Sequence, residues 1–254
     1  EILSGLVGSE MCIRDRYKPT EDSSLYASYA TSKQPPGGAN FALSAASNSA
    51  ANVNYDPQGT KTAEIGGKWD ALDKRLALTA AVYRTEITNE VEGNATDGYF
   101  QTGKKRVQGI ELGVVGDITS AWAVSAGYTV MNTKVTSGAV VAADGTRGLS
   151  YTPKQAFTAW TTYKLPGGFT IGGGARFVDS LRKPSDGAVG TPTHTESYWV
   201  YDAMATYAVT KNFDLQLNLY NLTDKEYVAS INKSGYRYTP GIERSARLTA
   251  NIRF

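Results

Sequence analysis

The sequence predicts an all-β chain, an antiparallel transmembrane β-barrel meander of about ten strands. Three observations carry that expectation. Apolar and polar residues alternate with period 2 along most of the chain. The connections between alternating segments come in two sizes, and the sizes themselves alternate. No stretch approaches the roughly 18–20 apolar residues of a membrane helix, whereas barrel strands span with about 9–11 residues of mixed polarity.

In chain order the segments lie at about 24–32, 60–71, 75–91, 99–116, 121–131, 149–164, 169–181, 197–208, 213–220 and 246–254. In 121–131, Trp122, Val124, Ala126, Tyr128 and Val130 share one face, with Ala123, Ser125, Gly127 and Thr129 on the other. In 213–220, Phe213, Leu215, Leu217 and Leu219 alternate with Asp214, Gln216, Asn218 and Tyr220. In 246–254, Ala246, Leu248, Ala250, Ile252 and Phe254 alternate with Arg247, Thr249, Asn251 and Arg253. Short turns fall at Leu72-Asp73-Lys74, 116–120, Pro166-Gly167-Gly168 and 209–212, and longer loops at about 33–59, 92–98, 137–148, 182–196 and 231–235. A Greek-key sandwich mixes its loop lengths, so this sorting favours a barrel with short turns at one rim and long loops at the other. A Lys or Arg on the lipid face costs roughly 2–4 kcal/mol at mid-bilayer. The uncharged Phe213/Leu215/Leu217/Leu219 and Leu248/Ile252/Phe254 faces are therefore expected outside, and Asp214, Gln216, Asn218, Arg247 and Arg253 inside. Trp69, Trp122, Tyr163 and Tyr207 suit the interfacial girdles.

Composition narrows the function. The chain has 254 residues with 26 Lys+Arg against 24 Asp+Glu, a formal net charge of +2, one His and one Cys. Such a near-neutral balance lacks the basic field of a nucleic-acid binder. One Cys and one His leave too few soft ligands for a structural zinc site, and no disulfide within the chain. An apolar share of 41% with 20% charged residues is not that of a disordered chain. The 26 Gly and 16 Tyr fit an all-β protein with many turns and exposed rings.

The opening run, including Met11-Cys12-Ile13-Arg14-Asp15-Arg16, has no clean period and none of the tripartite build of a secretory signal. Residues 1–16 resemble translated adapter sequence, and the expectation is that they are not native, with 17–254 as the barrel portion.

Several blocks resemble the TonB-dependent outer-membrane receptors. At the end of the chain these are Tyr220-Asn221-Leu222-Thr223-Asp224-Lys225-Glu226-Tyr227, Tyr238-Thr239-Pro240-Gly241-Ile242-Glu243-Arg244 and Leu248-Thr249-Ala250-Asn251-Ile252-Arg253-Phe254. Upstream blocks agree in order: Tyr26-Ala27-Ser28-Tyr29, the run 60–69, Arg106-Val107-Gln108-Gly109-Ile110-Glu111-Leu112 and Tyr151-Thr152-Pro153-Lys154. Within the family, the catecholate siderophore receptors are the most similar subgroup.

The resemblance implies a barrel of about 22 strands with a plugged lumen, of which these are the last ten, with the plug absent from this chain. The unpaired edges of segments 24–32 and 235–254 argue the same way, because open edges are costly in hydrocarbon. The implied function is uptake of ferric siderophore across the outer membrane of a Gram-negative bacterium. Iron enters only as part of the ligand, with no resident cofactor and no catalytic residues. The implied partners are the TonB–ExbB–ExbD energy-coupling system through the plug, the barrel-assembly machinery, and outer-membrane lipid and lipopolysaccharide. Nucleic acid is not among them.

Ferric catecholates are anionic and aromatic. Basic residues and rings in the long loops are the candidate contacts: Arg147, Arg182, Lys183, Lys233, Tyr236, Arg237 and Tyr238. Each is also readable as an ordinary solvated loop residue. Glu64, Lys68 and Asp70 share a strand face that either meets a plug or lines a wet wall. His194, with Asp179, Asp186 and Ser197 nearby, lacks a nucleophile elbow and reads as an exposed loop histidine. Leu248, Ile252 and the terminal Phe254 resemble the signal read by the barrel-assembly machinery. A complete small diffusion channel and a barrel enzyme are the other readings; the second would need acid, base and nucleophile clustered on one rim.

Overall fold

The computed structural model describes residues 11–36, 42–94 and 98–253. Eleven strands form one antiparallel sheet: β1 (Met11–Thr20), β2 (Ser23–Gln34), β3 (Gln58–Ala71), β4 (Leu76–Asn94), β5 (Gly98–Asp117), β6 (Trp122–Ser137), β7 (Gln155–Lys164), β8 (Phe169–Val178), β9 (Tyr198–Thr210), β10 (Phe213–Tyr220) and β13 (Ser245–Ile252). Each pairs with its predecessor in chain order, except that β13 pairs with β10. Between those two, β11 (Val228–Ile231) and β12 (Tyr238–Pro240) make a separate hairpin. The sorting of connections holds. The turns β1–β2, β3–β4, β5–β6, β7–β8 and β9–β10 lie at one end and the long connections β2–β3, β6–β7, β8–β9 and β10–β13 at the other. The exception is the loop expected at 92–98, because β4 runs to Asn94 and β5 starts at Gly98.

Three expectations need correction. The wall has eleven strands rather than ten, because β1 begins at Met11 and pairs with β2 from Met11↔Thr31 to Thr20↔Ser23. β1 and β13, not the 24–32 segment, are therefore the edges of the described sheet. The final strand starts at Ser245 rather than near 235; Gly235 turns at φ 72°, and 238–240 pairs with β11 instead of the wall. The segment read at 149–164 enters the sheet only at Gln155, because Leu149 to Lys154 belong to the preceding loop.

Register fixes the two faces. Leu215, Leu217 and Leu219 stand opposite Ala250, Leu248 and Ala246 on one side and Tyr207, Ala205 and Ala203 on the other. The same outward row continues through Ile171, Tyr163 and Trp122 to Ile110, Val82 and Ile65. Trp69, Trp122, Tyr163 and Tyr207 all take outward positions toward the short-turn end, as a girdle requires, and Phe169 stacks on Tyr207 at 4.4 Å. Toward the long loops, Trp199 sits 5.7 Å from Phe157 and 5.0 Å from Phe177.

The inward face is polar and self-bonded. Tyr26 donates to Glu64 at 2.5 Å, Arg14 lies 4.9 Å above the Tyr26 ring, and Asn251 donates to Asp214 at 2.8 Å. Three large inward rings lie flat across a directly opposed glycine, pairing Tyr26 with Gly66, Tyr83 with Gly109 and Trp160 with Gly174. A Cβ on each of these glycines would press on the ring it faces. The abundance of Gly and Tyr is thus partly a cross-strand pattern.

Among the described residues the deeply buried apolar side chains are Val135, Ala142, Tyr198, Val200 and Ile231. All lie at the long-loop end, where connections fold onto the inner wall. A single-layer wall leaves its apolar row for lipid, so protein-on-protein packing concentrates at this rim.

Candidate functional site

Of the connections at the rim, three carry the candidate contact residues: 138–154, 179–197 and 221–244. The first two interlock. Arg182 Nε donates to Asp144 Oδ2 at 2.7 Å, Ala143 N–H donates to the Lys183 carbonyl at 2.8 Å, and Ser185 N–H donates to the Val141 carbonyl at 2.9 Å. Burial pulls the Asp144 carboxyl toward its neutral form. The Thr146 hydroxyl and N–H and the Arg182 guanidinium outweigh this and hold its pKa below the ordinary carboxylate value. The second and third connections meet through glycines. A Cβ on Gly187 would overlap the Lys233 carbonyl, and one on Gly235 would overlap the Thr191 hydroxyl.

The third connection is held by its sequence signature. Asn221, 1% exposed, sits just past β10 at φ 49°, a left-handed conformation that Asn tolerates better than most residues. Its Nδ2 donates to the carbonyls of Lys225 and Ile242, both at 2.9 Å, and its Oδ1 accepts from the Lys225 N–H at 2.9 Å. Its own N–H donates to Asp202 Oδ1 at 2.8 Å, which ties the connection to β9. Asp224 binds Arg244 through its N–H at 3.2 Å and its guanidinium at 3.3 Å. The Tyr227 ring lies 4.2 Å from that of Tyr198, and its hydroxyl accepts from Arg176 at 3.1 Å and from the Ile242 N–H at 3.3 Å. Gly241 has no Cβ because the Tyr227 ring occupies that space. The signature is a clasp.

The candidate contact residues separate into two groups. Arg147 spends its guanidinium on the carbonyls of Val135 (2.7 Å) and Gly138 (3.3 Å), and Arg182 on Asp144. Lys183 is 2% exposed; its ammonium donates to the Ala188 carbonyl at 2.7 Å and to the Thr191 hydroxyl. These three shape the rim from within. The others share one hairpin tip. Lys233 is exposed and 3.3 Å from Asp186, Tyr236 and Tyr238 are 72% and 60% exposed, and Arg237 is exposed between them. An adjoining cleft carries Glu196, Asp224, Glu226 and Glu243 against Lys225 and Arg244, an acidic excess that disfavours anions. His194 is exposed, with its Nδ1 3.1 Å from the Thr193 hydroxyl.

Leu248 and Ile252 are exposed on edge strand β13, opposite Leu217 and Phe213, while Phe254 lies outside the described residues. Reading residues as loop charges missed Asp144 and the part played by Asn221. An Asn immediately after an alternating run, with Asp three residues on, was the available signal.

Comparison with known proteins agrees with this architecture. The family model described as TonB dependent receptor-like, beta-barrel, matches residues 15–222. The chain is 54% identical over 240 residues to the catecholate siderophore receptor Fiu of Escherichia coli (strain K12), covering 94% of this chain and 32% of that protein. It is 40% identical over 248 residues to the probable TonB-dependent siderophore receptor PiuA of Acinetobacter baumannii, covering 94% and 33% respectively. The crystal structure of the closed form of the ferric-catecholate import receptor Fiu from E. coli K12 superposes with a TM-score of 0.89 at 53% identity, over 96% of this chain and 34% of that one. The chain thus spans about a third of the length of the curated relatives it matches. It belongs to the TonB-dependent receptor β-barrel family.

Proposed function

We infer from that membership that the chain forms the C-terminal wall and rim of an outer-membrane receptor that takes up ferric siderophore, of the catecholate type. The observation that supports this best is the hairpin tip. Tyr236, Arg237 and Tyr238 project from this tip, whereas Arg147, Arg182 and Lys183 are engaged within the rim. An exposed guanidinium between two exposed phenol rings suits an anionic ligand with aromatic faces. The chain supplies no chemical step. Capture falls to the rim, and energy reaches the receptor through a plug coupled to TonB, ExbB and ExbD. The uncharged outward faces of Leu248 and Ile252 suit recognition by the barrel-assembly machinery. Residues 1–16 are read as non-native sequence, although residues 11–16 pair with β2 as part of β1. In support, Asp15 takes an outward position in the row Ala27–Ile65–Val82–Ile110, where a carboxylate faces lipid.

Binding of a ferric catecholate to the complete receptor, with Tyr236, Arg237 and Tyr238 all replaced by Ala, tests the reading. The expected result is about a tenfold or greater loss of affinity with unchanged receptor abundance in the outer membrane. Unchanged affinity overturns the assignment of the tip.

A further inference from the structure

The hairpin of β11 and β12, residues 228–240, is fixed at its base and lightly held at its tip. At the base the clasp grips both ends, through Asn221 on Lys225 and Ile242 and through Asp224 on Arg244. At the tip the hairpin rests on connection 179–197. Among the described residues, one hydrogen bond runs from 228–240 to the rest of the rim, from Lys233 Nζ to Asp186 Oδ2 at 3.3 Å. Both side chains are exposed, so this pair holds the tip only weakly. Connections 138–154 and 179–197 are joined far more firmly. Besides the bonds at Asp144, Ala143 and Ser185 N–H, the Ser185 hydroxyl donates to the Val140 carbonyl and the Tyr151 N–H to the Arg182 carbonyl, both at 2.9 Å.

The remaining tip contacts are made by glycines. Gly187 lies against the Lys233 carbonyl, and Gly235, at φ 72°, against the Thr191 hydroxyl. Such contacts bury little apolar area. Within 228–240 only Ile231 and Gly235 are buried.

What the tip covers is a charge. Lys183 is 2% exposed, and a Cβ on Gly187 or Gly235 would lie 3.4 or 3.3 Å from its Cδ. Its ammonium donates to the Ala188 carbonyl and the Thr191 hydroxyl and, among the described residues, to no carboxylate. An ammonium taken out of water without a counter-charge is unfavourable. Lifting the tip returns Lys183 to water and exposes Ile231. One apolar side chain therefore favours the docked hairpin, and one buried cation opposes it.

We propose that residues 228–240 are a flap that swings off connection 179–197, hinged at the irregular pairing between Val228 and Ser230, with the burial of Lys183 keeping it near its point of release. The clasp stays shut, so Tyr236, Arg237 and Tyr238 move together relative to the rim. The motion needs no ligand and stands apart from the uptake reading.

The test uses the complete receptor in detergent. Acetylation by a water-soluble N-hydroxysuccinimide ester, mapped by mass spectrometry, reports access to Lys183, with the exposed Lys211 as internal reference. Nitroxides on Val189→Cys and Tyr236→Cys, at positions 96% and 72% exposed, report the separation of the two tips by pulsed electron resonance. A minor longer distance is expected beside the main one. Gly187→Ala, whose methyl would overlap the Lys233 carbonyl, should favour the longer distance and accelerate Lys183 acetylation about tenfold with barrel melting unchanged. Asp186→Cys/Lys233→Cys, joined by a short bis-maleimide, should slow that acetylation about tenfold relative to the unlinked pair. An unchanged distance distribution in Gly187→Ala overturns the proposal, even if acetylation rises, because the 184–191 loop would then be opening alone. Acetylation that the cross-link does not slow, or that rises only as the barrel unfolds, overturns it as well.

Discussion

Two neighbouring connections on the rim are each organised by one buried polar side chain, and the two side chains do different jobs. Asn221 bonds to Lys225 and Ile242 and is fixed to β9 through Asp202, so it joins the two ends of a long connection to the wall. Lys183 bonds to Ala188 and Thr191, within its own loop. The neutral amide satisfies donors and acceptors alike. The ammonium only donates, and among the described residues no carboxylate forms an ion pair with it. The first attaches a connection to the barrel; the second gives a loop its shape. The strongest sequence signature thus marks the attachment, and the exposed hairpin tip lies beyond it.

Breaking the attachment carries the largest expected effect. Asn221→Leu strands buried partners worth about 1–3 kcal/mol each and places a branched side chain in a left-handed conformation. A loss of about 4 kcal/mol or more is expected, read as loss of the heat-modifiable folded receptor on gels. A normally folded variant would show that the clasp does not hold the connection.

Lys183→Met comes next and should stay local. The Ala188 carbonyl and Thr191 hydroxyl lose their donor, so proteolysis within 184–191 should rise about tenfold while barrel melting is unchanged. Global unfolding would erase the distinction between the two side chains.

A smaller effect follows from pH. The folded-state pKa of Asp144 is lowered, so the link between connections 138–154 and 179–197 contributes fully above the ordinary carboxylate value of about 3.9. It fades as pH falls through the lower folded value. Hydrogen exchange in 138–154 should accelerate below about pH 4 in the parent and show no such step in Asp144→Asn.

The smallest effect concerns β1. Asp15→Leu removes a carboxylate from an apolar row, and a gain of about 1 kcal/mol is expected in urea unfolding. A destabilised variant would contradict the outward assignment of this position.

Much of this molecule was legible because a single-layer wall writes its two environments into alternate residues. The Phe213/Leu215/Leu217/Leu219 face and the short turns follow directly from that. β1 was missed because Cys12 to Arg16 do not alternate; the strand is defined by its pairing with β2. The final edge segment was drawn from 235, yet Pro240 lacks an N–H donor and Gly235 turns the chain. Lys183 looked like a loop charge because burial depends on Gly187 and Gly235 from two connections, a proximity that no local window contains.

The rings of Tyr26, Tyr83 and Trp160, each laid over a glycine, have a mechanical consequence. Side chains of that size standing upright would stud the inner wall and catch whatever moves along it. Lying flat, they pave it. At these three places the lining is low, and the relief of the inner wall comes from the charged side chains around them, such as Arg14, Glu64 and Lys68.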